Sequence, residues 1–196
     1  YAEGGHPSMM KAAVQAKAEG ICFPILLGNP DRINRQAQRL KLDLSGIEII
    51  DMRADKEQGR RATYAKHLAE KLARKGYTFQ EAYDKMYERN YFGMMMVERG
   101  DADALITGLY TKYSNTIKVA TEVVGVREGF HTFGTMHVVN SQKGTYFIAD
   151  TLINRHPDNN FLVDIARLSA NTVEFFNEKP VMAMISYSNF GTDEIG

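Results

Sequence analysis

Apolar residues recur in two rhythms along this chain. Short, largely apolar runs at 21–27, 47–50, 104–107 and 181–185 are too brief for helices and read as buried strands. Between them the spacing lengthens to the helical period. Residues 9–19 read as a helix closed by Gly20, and 32–40 as one capped by Asp31. A long polar helix over 57–74 follows. Thr78-Phe79-Gln80-Glu81 matches a capping box and opens the next helix, and another spans 91–99. Residues 116–124 form a helix capped by Ser114 or Asn115. Strands alternating with helices in this order predict an α/β fold with a mostly parallel sheet and flanking helices. After Gly125 the pattern changes. Residues 135–140 and 145–149 alternate across Ser141-Gln142-Lys143-Gly144, a β-hairpin signal. Residues 161–176 carry an apolar stripe of Leu162, Ile165, Ala166, Ser169, Val173 and Phe176. Two lobes are therefore expected, 1–128 and 129–196.

The strands end alike, in Leu27-Gly28-Asn29, Ile50-Asp51, Ile106-Thr107-Gly108 and Ala149-Asp150-Thr151. The run at 181–185 leads into Ser186-Tyr187-Ser188-Asn189-Phe190-Gly191-Thr192. Ligands of open α/β sheets sit beyond the carboxyl ends of the strands, so a cleft lined by hydroxyls, amides and glycines is expected. The loop from Gly108 to Lys118 adds Lys112, Asn115 and a helix N-terminus, a combination that favours an anion. It reads equally well as a solvated loop leading into a capped helix. Ser186, Ser188, Asn189 and Thr192 carry the same two readings.

Composition narrows the function classes. Basic and acidic residues balance, 24 against 24, which argues against a dedicated nucleic-acid or anionic-membrane binder. No apolar run is long enough to span a bilayer. A single cysteine, Cys22, excludes an internal disulfide framework, suits a reducing cytoplasm, and reads as a core thiol within its apolar run. None of the five histidines has a partner at metal-site spacing, and Asp101-Ala102-Asp103 reads as a solvated turn. Met94-Met95-Met96 reads as adaptable core filler. There is no Walker loop, nucleophile elbow or dinucleotide glycine fingerprint. The opening Tyr1-Ala2-Glu3-Gly4-Gly5 has the look of a strand already under way, and a chain cut at both ends is expected.

Ordered motifs then narrow the reading. Ala2-Glu3-Gly4, Leu26-Leu27-Gly28-Asn29, Lys75-Gly76-x-Thr78, Tyr91-Phe92-Gly93-Met94-Met95 and Gly100-Asp101-Ala102-Asp103-Ala104 occur in sequence, followed by Ala149-Asp150, Ile165-Ala166, Pro180-Val181-x-Ala183 and Ser186-Tyr187-Ser188. Together they resemble the phosphate acetyl/butyryltransferases along essentially the whole chain. The resemblance implies a two-lobed, isocitrate dehydrogenase-like α/β fold with coenzyme A and acetyl phosphate between the lobes.

Departures from that pattern resemble one branch of the family. Active transferases carry Ser-Thr-Ala-Asp-Thr-Val-Arg-Pro where this chain has Lys112 to Val119, so an arginine is replaced by Lys118. A second family arginine falls at Leu72, and a family lysine at Phe190. These changes resemble the transferase-like C-terminal domain of hybrid NADP-dependent malic enzymes, as do Ala149-Asp150-Thr151 and Asn154. The implied role is a non-catalytic regulatory domain binding acetyl-CoA through Gly108, Lys112, Asn115, Lys118, Asn154, Ser188 and Asn189. A malic enzyme catalytic domain in cis, holding NADP and a divalent metal, would be its partner, in a cytoplasmic homo-oligomer. No catalytic or metal-binding residue is assigned within 1–196, and the family's catalytic Ser-Arg pair and Asp would lie beyond Gly196. An active phosphate acetyl- or butyryltransferase and a purely structural oligomerisation module are the alternatives.

Overall fold

The computed structural model describes residues 1–154 and 157–185. The fold is mixed α/β and falls into two compact units, Tyr1–Gly125 and Val126–Gly196. In the first unit β1 (Ile25–Leu27) and β2 (Glu48–Ile50) pair in parallel, with Leu26 opposite Ile49. Residues 1–3 extend this pair. The amino group of Tyr1 donates to Ile25 O (2.9 Å) and Leu27 N donates to Tyr1 O (3.0 Å), the slanted spacing of a parallel neighbour. Ala2 N then donates to Ile106 O (2.9 Å). The strand expected at 104–107 is thus reduced to an extended segment joined to the sheet by this single backbone bond, too little for a ladder.

Neighbouring residues of β1 face opposite layers. Leu26 packs with Met10, Ala13, Ile33 and Ala37 beneath α1 (Pro7–Ala18) and α2 (Pro30–Leu40). Leu27 packs with Tyr64, Leu68, Phe92 and Met95 beneath α3 (Gln58–Lys71) and the later helices. Cover on both faces is why the run reads as unbroken apolar sequence. Thr78 and Glu81 form the expected capping box, Thr78 Oγ1 accepting from Glu81 N (3.2 Å) and Glu81 Oε2 from Thr78 N (2.8 Å), and it opens α4 (Phe79–Lys85). In α5 (Arg89–Glu98) residues 90–96 are all buried, and the three methionines fill the core as expected. A side chain on Gly93 would come within 2.7 Å of Leu105 Cδ1 and 3.2 Å of Leu27 Cδ1, so glycine lets α5 lie close on the sheet.

Four local expectations are corrected. The strand predicted from residue 21 begins only at Ile25, because Pro24 has no N–H to give a ladder. Cys22 is therefore exposed rather than a core thiol, and its neighbour Phe23 is 96% exposed. Pro30 takes the first helical position of α2, which leaves Asn29 as cap in place of Asp31; its Oδ1 accepts from Arg32 N at 3.0 Å. α6 (Tyr113–Val123) starts earlier than predicted. Lys112 O already accepts from Asn115 N (2.9 Å), so Ser114 and Asn115 lie in the first turn and do not cap it.

In the second unit β3 (Met136–Ser141) and β4 (Gly144–Ala149) form the expected hairpin. α7 (Asn159–Phe175) is capped by Asp158, whose Oδ1 accepts from Phe161 N at 2.7 Å. Of its predicted stripe only Ile165 and Val173 are buried, while Phe176 stacks at 5.4 Å on Phe147. Residues 181–185 do not form the predicted buried strand. No described residue supplies a ladder partner, and Val181 and Ile185 are exposed.

Asp150 ties the hairpin to the connector after it. Its carboxylate accepts from Thr135 N (3.0 Å) and Oγ1 (2.9 Å) and from Asn154 N (3.1 Å) and Nδ2 (2.6 Å). Burial alone would raise its pKa, but these bonds outweigh burial and hold it below the ordinary carboxylate value. A depressed folded-state pKa gives stability that is complete above the unfolded value, about 3.9, and is lost as pH falls below it. Asp150→Asn is therefore expected to be less stable than the parent at pH 6, with the gap closing as pH falls from about 4 towards 2. Urea midpoints of the two proteins across that range check this.

Candidate functional site

A cavity of about 410 Å³ opens in the first unit. It lies where β2, α4, α5 and α6 present their ends. Arg53 comes from the turn after β2, Lys85 and Tyr87 from the end of α4, and Glu88, Arg89 and Asn90 from the start of α5. Thr111, Asn115 and Lys118 close it from the loop and first turns of α6.

Its charge is strongly one-sided. Four cations line it against one carboxylate, Glu88, and that one is paired with Lys85 at 3.2 Å. Arg53 and Arg89 have no carboxylate within 4.0 Å among the described residues. Arg89 instead packs its guanidinium 5.8 Å from the Tyr110 ring centre. Planar guanidinium forks without an internal partner suit bidentate binding of phosphate or carboxylate.

A chain of polar side chains fixes the loop that forms the rim. Glu3 Oε1 accepts from Gly108 N (3.2 Å), and the Thr107 hydroxyl lies between Glu3 Oε1 (3.3 Å) and Asn90 Oδ1 (2.7 Å). Asn90 Nδ2 in turn donates to Thr111 Oγ1 at 3.4 Å. Gly108 has φ +123°, a backbone region that side-chain-bearing residues rarely adopt, which places its N–H on Glu3.

Of the predicted binding residues, the structure brings Asn115 and Lys118 together in this cavity. Gly108 shapes the rim, but its N–H is already used by Glu3. Lys112 is exposed at the start of α6 and is not part of the cavity wall. Asn154 belongs to the second unit, where its amide donates to Asp150 and to Phe133 O (3.2 Å). Ser188 and Asn189 lie outside the described residues. Sequence reasoning missed Arg53, Arg89, Asn90 and Glu3. Arg53 was within reach, since it follows the strand ending at Asp51, but Arg89 and Asn90 read only as the start of a core helix. Among the described residues no three of His, Cys, Asp and Glu converge as a metal site would require.

Residues 1–195 match the family model described as phosphate acetyl/butaryl transferase. The chain belongs to this family. The NADP-dependent malic enzyme of Escherichia coli K12 is 33% identical over 98% of the chain, which spans 25% of that protein. The phosphate acetyltransferase of Bacillus subtilis is 30% identical over 98% of the chain and 58% of its own length. The phosphate acetyltransferase of Thermoanaerobacterium thermosaccharolyticum is 34% identical over 97% of the chain and likewise 58% of its own length. The EutD phosphotransacetylase from Staphylococcus aureus superposes with a TM-score of 0.84 at 28% identity, covering 98% of this chain and 57% of that one. The chain thus spans a quarter of the malic enzyme and rather more than half of these three transferases. The phosphotransacetylase shares its α/β fold, and no described helix is long and apolar enough to cross a membrane.

Proposed function

We propose that this family member is a regulatory, phosphotransacetylase-like domain that binds acetyl-CoA within an NADP-dependent malic enzyme. The observation that carries the reading is at Lys118. The resemblance puts an arginine fork there, whereas this chain presents a flexible lysine facing Glu122 at 3.8 Å. A tethered point charge can steady a bound phosphate, but it lacks the fork that grips a reacting one in a fixed orientation. The cavity suits the phosphate-bearing part of a coenzyme A ester, with Arg53 and Arg89 as its charge partners and Asn115 at its edge. NADP and a divalent metal would belong to the catalytic domain of the same polypeptide, in a cytoplasmic homo-oligomer.

Calorimetry on the full-length polypeptide is expected to show acetyl-CoA binding, and malate oxidation is expected to change with it. Absence of binding together with activity indifferent to acetyl-CoA would overturn the proposal. A second reading, an active phosphate acetyltransferase, is favoured by Arg53 and Arg89, which keep the cavity a competent anion site. Acetyl-CoA formed from acetyl phosphate and coenzyme A by the full-length polypeptide would establish that reading instead.

A further inference from the structure

Helix energetics alone do not explain Glu122. It sits in the last turn of α6, where the helix dipole disfavours an anion, and it is 8% exposed. It follows Lys118 by four positions, the weaker order for an ion pair of that spacing. Yet both of its oxygens are engaged. Oε2 accepts from the Tyr91 hydroxyl at 2.5 Å and from the Tyr77 hydroxyl at 3.5 Å, while Oε1 faces Lys118 Nζ at 3.8 Å. Burial, reinforced by the carboxylate, pushes both phenols up, so they stay protonated and remain donors. The pair is buried at one end and open at the other, with Lys118 in the cavity wall.

We propose that Glu122 is a positioning residue that sets the affinity of the cavity, an internal counter-anion holding Lys118 at the wall. An incoming anion takes the ammonium only by displacing this carboxylate, which the two phenols keep from following. A ligand with one negative charge exchanges the Glu122 carboxylate for its own single charge at Lys118 and gains little there. A ligand with charge on neighbouring oxyanions gains more, because Arg53 and Arg89 take up the remainder. The inference rests on the reading of this cavity as a phosphate site.

The test uses the full-length polypeptide, calorimetry, and two probes, inorganic pyrophosphate and acetyl-CoA. Glu122→Gln keeps the shape and removes the charge, and pyrophosphate should bind about two- to fivefold tighter. Tyr91→Phe keeps the ring but releases Oε2, leaving Glu122 more dependent on Lys118, and pyrophosphate should bind more weakly. In a Lys118→Met background both effects should vanish. A purely structural Glu122 would instead make both variants weaker, with or without Lys118. Unchanged or weaker binding by Glu122→Gln, an effect that survives in Lys118→Met, or no pyrophosphate binding in any variant would overturn the proposal. Should Glu122→Gln fail to fold, Tyr91→Phe decides alone, by weakening that requires Lys118. If pyrophosphate follows the expected pattern while acetyl-CoA does not bind, the effector reading falls and the role of Glu122 stands.

Discussion

Replacing Arg61 with alanine is expected to destabilise the first unit by about 2–5 kcal/mol. The side chain is 3% exposed and carries a charge that no carboxylate answers among the described residues. Its neutralisation comes from dipoles and ring faces. Nη1 donates to Met52 O (2.7 Å) and Ala54 O (2.8 Å), and the guanidinium lies 4.7 Å from the Tyr87 ring centre and 5.9 Å from that of Tyr83. Alanine leaves Met52 O without a donor, worth about 1–3 kcal/mol when buried, and leaves Ala54 O with Glu57 N alone (3.0 Å). The turn they hold is the one that presents Arg53, so pyrophosphate affinity should fall along with the urea midpoint. A midpoint within experimental error of the parent would show that water replaces the guanidinium without loss.

The second large effect is expected at Phe92. It is fully buried in α5, its ring 5.3 Å from that of Tyr64, and it packs in the cluster that joins β1 to α3 and α6. Phe92→Ala should cost about 3–5 kcal/mol, with the spread set by how far the methionines beside it can relax into the space. Chemical denaturation followed by circular dichroism checks this. Phe92→Leu should recover more than half of the loss.

Residues with purely local physics were legible in the sequence. Thr78 and Glu81 cap a helix whatever packs around it, and Ser141 to Gly144 turns a hairpin by itself. Apolar runs also revealed the layers, since Leu26 and Leu27 face opposite clusters as a doubly covered strand requires. Periodicity failed where a single residue redirected the chain. Pro24 shortened β1, and Pro30 moved the cap of α2 to Asn29. Residues 181–185 have strand composition, but composition cannot supply the neighbour a strand needs. The candidate site was half legible. Asn115 and Lys118 follow Gly108 after an apolar run and announce themselves by chemistry. Arg53 and Arg89 reach the same cavity from other elements, through a folded arrangement that no spacing in the sequence encodes.

The polar chain at the rim also bears on how the site comes into being. Glu3 bonds to Thr107 and Gly108 across 104 and 105 positions of sequence. Closing a loop of that length costs more entropy than any turn of α3 to α6, which form through contacts a few residues apart. Helices in this unit can therefore be present in a chain that still lacks the cavity's rim. A fragment beginning after α1 would keep all four cations and lose the carboxylate that sets the loop around them. The shape of the cavity belongs to the unit as a whole and arrives with its longest-range hydrogen bond.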